Sequence, residues 1–180
     1  MPSKPQAALA PGFFDLGSWG VVEITGPDAR DFLNRLTTLN FKKWDPLQTR
    51  LGAFLTGKSG VVALGFFQSV AGGFHLVLPQ DTLAAVLEHI ELFHFSEKLQ
   101  SVDRSAEWHL FGVWHAPVPV RDAWRSWADP FIDGLVWQKV AASEAADWKK
   151  RVASLPVLTD VQFDWLRTRS GMPLVGKEVD

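Results

Sequence analysis

No cysteine occurs anywhere in the 180-residue sequence. That excludes disulfides, thiolate metal sites, thiol nucleophiles and direct cysteine ligation of an iron–sulfur cluster. It also fits a cytoplasmic protein. Tyrosine is absent, and methionine occurs only twice. No apolar run approaches the ~20 residues that a membrane span needs. Residues 1–12, rich in Pro, Ala and Ser, hold no apolar stretch of signal-sequence length. Neither sign of charge dominates: a net charge of −2 provides no basic field for nucleic acid or an acidic membrane.

What is present describes a folded protein. Apolar residues make up 47% and charged residues 21%, and the length suffices for one ordinary domain or two small ones with a real core. Thirteen Phe and nine Trp are read mainly as that core. Ligand stacking is the alternative for Trp124, Trp127, Trp148 and Trp165, each on a segment read as helical.

Residues 1–15 read as a flexible arm. A strand is predicted at 21–24. Gly26-Pro27-Asp28 then opens a helix whose Ala29, Phe32, Leu33 and Leu36 recur at helical spacing. A polar turn region covers 40–48. Strands follow at 50–55, 61–67 and 74–78, punctuated by Gly57-Lys58-Ser59-Gly60 and Gly72-Gly73. In the last of them His75 is expected to face solvent, with Phe74 and Leu76 inward. Residues 81–93 predict a helix capped by Asp81 or Thr82, and 99–102 an edge strand. This order describes a split α+β unit, close to ferredoxin-like, over 16–104. A second α+β unit, apparently incomplete, covers 105–180. It reads as a strand at 108–113, a helix at 120–127, a strand at 134–140, and helices at 143–154 and 161–169.

Familiar chemistries are thin. Gly57-Lys58-Ser59-Gly60 lacks the spacing of a phosphate loop and is followed by a strand, so it is a hairpin turn. His89 and His94 are five apart, which does not stack them on a helix face, and no metal site is predicted. No nucleophile-elbow pattern supports Ser/His/Asp catalysis. Lys149-Lys150-Arg151 reads as a solvated helix end.

Several segments together carry a resemblance. They are Ile24-Thr-Gly-Pro-Asp-Ala29 with Phe32-Leu33 and Leu36-Thr-Thr38; Gly52-Ala-Phe-Leu55 with Lys58-Ser-Gly60-Val-Val-Ala63; Gly73-Phe-His-Leu-Val-Leu78; and Leu166-Arg-Thr-Arg-Ser-Gly-Met-Pro-Leu-Val-Gly176. In order and spacing they resemble the folate-binding glycine-cleavage T-protein and its YgfZ-type relatives. The resemblance runs from about Leu16 to Asp103 and returns at Leu166 to Asp180. It implies an α+β fold of two ferredoxin-like units, as in the N-terminal folate-binding region of that superfamily, without the C-terminal β-barrel.

The resemblance also implies a tetrahydrofolate pocket between the two units, lined by Thr38, Asn40, Leu64, Gly65, Val77 and Arg169. The residue types at these positions depart from the family. Asn40 stands where the family has Asp, so hydrogen bonding is kept and charge is lost. Leu64 and Gly65 stand where the T-protein has adjacent aspartates, which removes the carboxylate needed for proton or iminium chemistry. Arg169 stands where a Glu grips the pterin. A guanidinium only donates; it would meet an anion or form a surface pair near Asp164 or Glu178.

The expectation is therefore a non-catalytic, YgfZ-like tetrahydrofolate-binding protein, linked by resemblance to iron–sulfur protein assembly or repair. Its partners would be iron–sulfur enzymes, or another chain covering the face of the missing barrel. The alternative is a protein-interaction module that kept the scaffold and lost folate, exposing a Trp-rich patch. Aminomethyl transfer comes last.

Overall fold

The structure, a computed structural model, describes residues 9–121 and 125–175. Its first strand, β1 (Gly12–Asp15), belongs to the region expected to be a flexible arm. Phe13 and Phe14 are buried on opposite sides of the strand, one toward each neighbouring layer, and that burial fixes the segment.

The chain then builds a first sheet. Its elements are β2 (Trp19–Thr25), α1 (Ala29–Leu36), β3 (Thr49–Leu55), β4 (Val61–Val70), β5 (Gly73–Pro79), α2 (Leu83–Phe93) and β6 (Gln100–Asp103). The strands lie in the order β3-β4-β5-β2-β6, every neighbouring pair antiparallel. Both helices cover one face, where Val22, Ile24, Phe32, Phe67, Leu76 and Ile90 form one core. The segment expected as a polar turn at 40–48 contributes Phe41 and Trp44 to it, stacked at 4.9 Å.

The second sheet holds β7 (Trp108–Trp114), β8 (Arg125–Ala128) and β9 (Leu135–Ala141), followed by α3 (Ala145–Arg151), β10 (Val157–Leu158) and α4 (Asp160–Arg169). Its order is β10-β1-β7-β9-β8. The helix expected at 120–127 is replaced at its end by β8; residues 122–124 lie outside the described residues. Trp127 points inward from β8 between exposed Ser126 and Ala128, which is strand alternation. On the outer face Trp148 stacks on Phe111 at 3.8 Å and donates its indole N–H to Gln138 Oε1. A capping box of Thr159 and Gln162 starts α4.

The two sheets face each other. Trp19, Val21, Phe66 and Val77 of the first meet Phe14, Leu110, Leu135 and Trp137 of the second in a shared core, closed by Phe163 and Leu166 of α4. The first sheet is thus covered on both faces. This corrects the expectation for His75: its outward side is the second sheet, and it is 5% exposed.

Candidate ligand cleft between the two sheets

β3 and β8 are the outer strands of their sheets on the same side of the molecule. Between them lies a cleft of about 440 Å³, lined by Leu39, Arg50, Leu51, Phe66, Trp127 and Phe131 among others. This volume is in the range of small-molecule sites.

Local structure sets each wall. Thr38 N–H donates to the Ala53 carbonyl and Thr38 Oγ1 accepts from Ala53 N–H, so the chain after α1 lies along the free edge of β3. Leu39 then packs where Gly52 has no side chain: a Cβ there would lie 2.5 Å from Leu39 Cγ. On the opposite wall, Trp127 lies parallel to Trp137 at 5.9 Å and 5.5 Å from Phe66. The turn after β8 is tied by buried Asp129. Its Oδ1 accepts from the N–H groups of Phe131 and Ile132, both at 2.8 Å, and its Oδ2 accepts from Trp137 Nε1 at 2.7 Å.

Among the described residues, two buried polar atoms near this cleft have no hydrogen-bond partner: Nε1 of the lining Trp127, a donor, and Oε1 of Gln68, an acceptor just behind the lining. Gln68 lies beside Thr49, another lining residue, to whose Oγ1 its amide donates at 3.4 Å. Unpaired polar groups of this kind are costly, and a ligand that completes them is one resolution.

A polar row continues inward from there. Strand register aligns Thr49, Gln68, His75 and Glu23 across β3, β4, β5 and β2. His75 Nε2 meets Glu23 Oε2 at 3.2 Å, and Arg104 donates to Glu23 Oε1 at 3.0 and 3.1 Å. From the second sheet, Lys139 Nζ meets His75 Nδ1 at 2.7 Å beneath the Trp108 ring. Burial, aided by the neighbouring Arg125 cation, lowers the Lys139 pKa to about 7. Burial and then the Lys139 charge lower that of His75 to about 4, with Glu23 opposing. Burial would raise Glu23, but its bonds to His75 and Arg104 hold it below the usual carboxylate range.

The six residues named from the sequence fall as follows. Thr38 ties the chain to β3. Leu64 and Gly65 lie opposite Ala53 and Gly52. Val77 pairs with Phe66, is fully buried, and packs in the core between the sheets. Asn40 accepts from Lys42 N–H and caps the 3-10 turn Phe41–Lys43. These five occupy β3 to β5 and the segment beside them; the cleft itself is lined by their neighbours Leu39, Leu51 and Phe66. Arg169 stands apart on the last turn of α4, exposed, with its guanidinium 5.3 Å over the Trp165 ring. No hydrogen bond or ion pair joins it to the other five. Asp164 pairs instead with buried Arg167 at 2.6 Å, and Glu178 lies outside the described residues.

The sequence reading passed over Gln68, Asp129, Lys139 and the His75–Glu23 pair. The signal was there for Gln68 and Lys139: each is a polar residue inside an otherwise apolar strand. Among the described residues, no group of three or more His, Cys, Asp or Glu is arranged to hold a metal. No described helix is long and apolar enough to cross a membrane.

No protein-family model matches the chain, and no curated protein matches its sequence. Solved structures do match. One is the crystal structure of glycine cleavage system aminomethyltransferase T from Bartonella henselae, with a TM-score of 0.80 at 15% identity, over 94% of this chain and 53% of that one. The chain therefore has the mixed α+β fold of that protein through nearly all its length, and it spans about half the length of its structural relative.

Proposed function

We propose that this is a non-catalytic, YgfZ-like tetrahydrofolate-binding protein, with reduced folate held in the cleft between β3 and β8. The observation that carries this reading is the likeness in fold to an aminomethyltransferase T over 94% of the chain. The ferredoxin-like description of both units belongs to the same reading. It is supported by the strand orders β6-β2-β5-β4 and β10-β7-β9-β8, obtained when β3 and β1 are set aside.

The cleft residues suit such a ligand for binding. Phe66, Trp127 and Phe131 offer aromatic surface to a flat ring. Trp127 Nε1 and, behind the lining at Thr49, Gln68 Oε1 are a donor and an acceptor without partners among the described residues. Arg50 lines the same cleft and would meet a carboxylate of the glutamate tail. When bound, a reduced folate supplies a carrier for one-carbon units. Turnover of that carrier is not supported. Leu64 and Gly65 hold no carboxylate, and the buried carboxylate nearest the turn, Asp129, already accepts three hydrogen bonds.

In this reading Thr38, Asn40, Leu64, Gly65 and Val77 shape the first-sheet side of the pocket, and Arg169, on α4 and outside the cleft lining, serves as a separate anion contact. Iron–sulfur enzymes, or another chain covering the face that the family's barrel domain would cover, are the partners proposed, in the cytoplasm. A second reading, a partner-binding scaffold without folate, is favoured by one observation: Leu92, Phe93 and Phe95 are exposed at the end of α2. That patch contains no Trp, and no described Trp is among the exposed apolar residues.

Calorimetric titration with 5-formyl-tetrahydrofolate tests the proposal. Saturable one-site binding, weakened at least tenfold by Trp127→Ala, is expected. Heat that is absent at high ligand concentration favours the scaffold reading.

A further inference from the structure

The two sheets meet largely through apolar side chains, and within the polar row Lys139 of β9 reaches across to His75 of β5. The geometry fixes the proton arrangement. The Glu23 carboxylate can only accept, so His75 Nε2 carries the hydrogen. Below about pH 7 Lys139 is an ammonium, which only donates, so Nδ1 must be a bare lone pair. Only the uncharged imidazole satisfies both neighbours. A proton on Nδ1 would point at the Lys139 nitrogen, remove the bond between the sheets, and place two cations in contact.

The surroundings give that second charge no relief. His75 is 5% exposed and Lys139 3%. Facing His75 are Lys139 from β9, Glu23 from β2, the Arg125 charge from β8, the Trp108 ring edge from β7 at 5.5 Å, and Gln68 beside it on β4. Glu23, the one carboxylate, is already shared with Arg104.

We propose that His75 is an acid-sensitive latch between the two sheets: neutral, it bonds the second sheet through Lys139; protonated, it releases it. The row that ends in this latch begins at Thr49 on the cleft wall, so release loosens the packing beside the cleft. The inference is independent of whether the cleft takes folate.

The direction follows from linkage. The folded imidazole titrates at about 4, below its ordinary 6.5. Between those values an opened form binds a proton that the closed form does not. The imidazole's own contribution is therefore complete well above pH 6.5 and is lost as pH falls toward 4, the opening equilibrium steepening toward roughly tenfold per pH unit below 6.5.

Hydrogen exchange of the full chain, corrected for intrinsic rates, tests this at pH 7, 6 and 5 on segments covering β5 and β9. Exchange there is expected to accelerate roughly threefold from pH 7 to 6 and roughly sevenfold from pH 6 to 5 in the wild type. His75→Gln retains an acceptor and a donor without a titratable ring, and its exchange should not respond to pH across this range. Lys139→Met gives an independent reading: with no cation against Nδ1 the folded imidazole titrates closer to 6.5, so the response levels off sooner and is smaller than in the wild type. A wild type whose β5 and β9 exchange is flat from pH 7 to 5 overturns the proposal. So does a His75→Gln response equal to that of the wild type, or an undiminished response in Lys139→Met.

Discussion

Asp129 is the most economical place to perturb the cleft, because one carboxylate holds both its turn and its back wall. Asp129→Ala removes the acceptor for three donors, Phe131 N–H, Ile132 N–H and Trp137 Nε1. Each hydrogen bond to a charged partner is worth roughly 1.5–3 kcal/mol, and a buried donor left alone costs a similar amount. Partial relaxation of an edge turn reduces the sum, so a loss of about 4 kcal/mol is expected. Asp129→Asn is the more telling variant. Its single oxygen can keep the two backbone N–H groups, but its NH2 then faces the indole N–H, donor against donor. That should cost about 2 kcal/mol, roughly half the alanine effect. The assay is urea unfolding with a shared slope, so that midpoint shifts report stability alone. Near-ultraviolet circular dichroism would follow Trp137 and the Trp127 stacked on it at 5.9 Å. An Asp129→Asn protein within ~0.5 kcal/mol of the wild type would refute the reasoning, and so would equal losses in the two variants.

Three further outcomes are expected. Gly65→Ala should destabilise more than Gly52→Ala, because the first Cβ meets the Val77 carbonyl at 2.7 Å while the second meets the movable end of Leu39 at 2.5 Å. Paired unfolding curves, with losses of about 1–3 kcal/mol for Gly65→Ala, check this. Gly52→Ala should instead weaken ligand binding by shifting Leu39 into the cleft, measured by calorimetry. Lys139 adds a separate pH dependence. Its folded pKa of about 7 lies below the ordinary 10.5, so between those values the unfolded chain holds a proton that the folded chain lacks. Wild-type stability should therefore rise with pH across that window, by on the order of 5 kcal/mol in full, and Lys139→Met should lose that slope. Equal slopes for both proteins between pH 7 and 9 would count against a buried lysine.

The first sheet was the legible part of the fold. Its hairpins announce themselves through Gly57-Lys58-Ser59-Gly60 and Gly72-Gly73, and its helices through Phe32, Leu33 and Leu36 or Val86 and Ile90 at helical spacing. Boundaries moved by a few residues: the helix expected at 81–93 begins with the 3-10 turn Gln80–Thr82, and only Leu83–Phe93 is α-helical. The second sheet was harder to read because its strands depend on distant partners. β1 and β10 are short, and they form by pairing with each other and, for β1, with β7. β8 was mistaken for a helix because its Trp127 counts as apolar in either period, and only pairing with β9 makes the choice. Of the site, the resemblance directed attention to Leu64, Gly65 and Val77 on β4 and β5. It could not indicate Trp127 or Lys139, which come from the other sheet and meet this one only through tertiary register. The polar row from Thr49 to Glu23 is likewise a property of four aligned strands, with no local motif to mark it.

The claim that the cleft receives a reduced folate is tested most directly at Trp127, which lines it and whose buried indole N–H has no partner among the described residues. In a nitrogen-15 correlation spectrum each tryptophan gives a separate side-chain signal. On adding 5-formyl-tetrahydrofolate, the Trp127 signal, assigned by Trp127→Phe, should shift and saturate with the ligand. The Trp148 signal, whose N–H already donates to Gln138 on the far face, should stay in place. If no tryptophan signal moves at millimolar ligand, or if only signals remote from β8 move, the cleft is not the binding site.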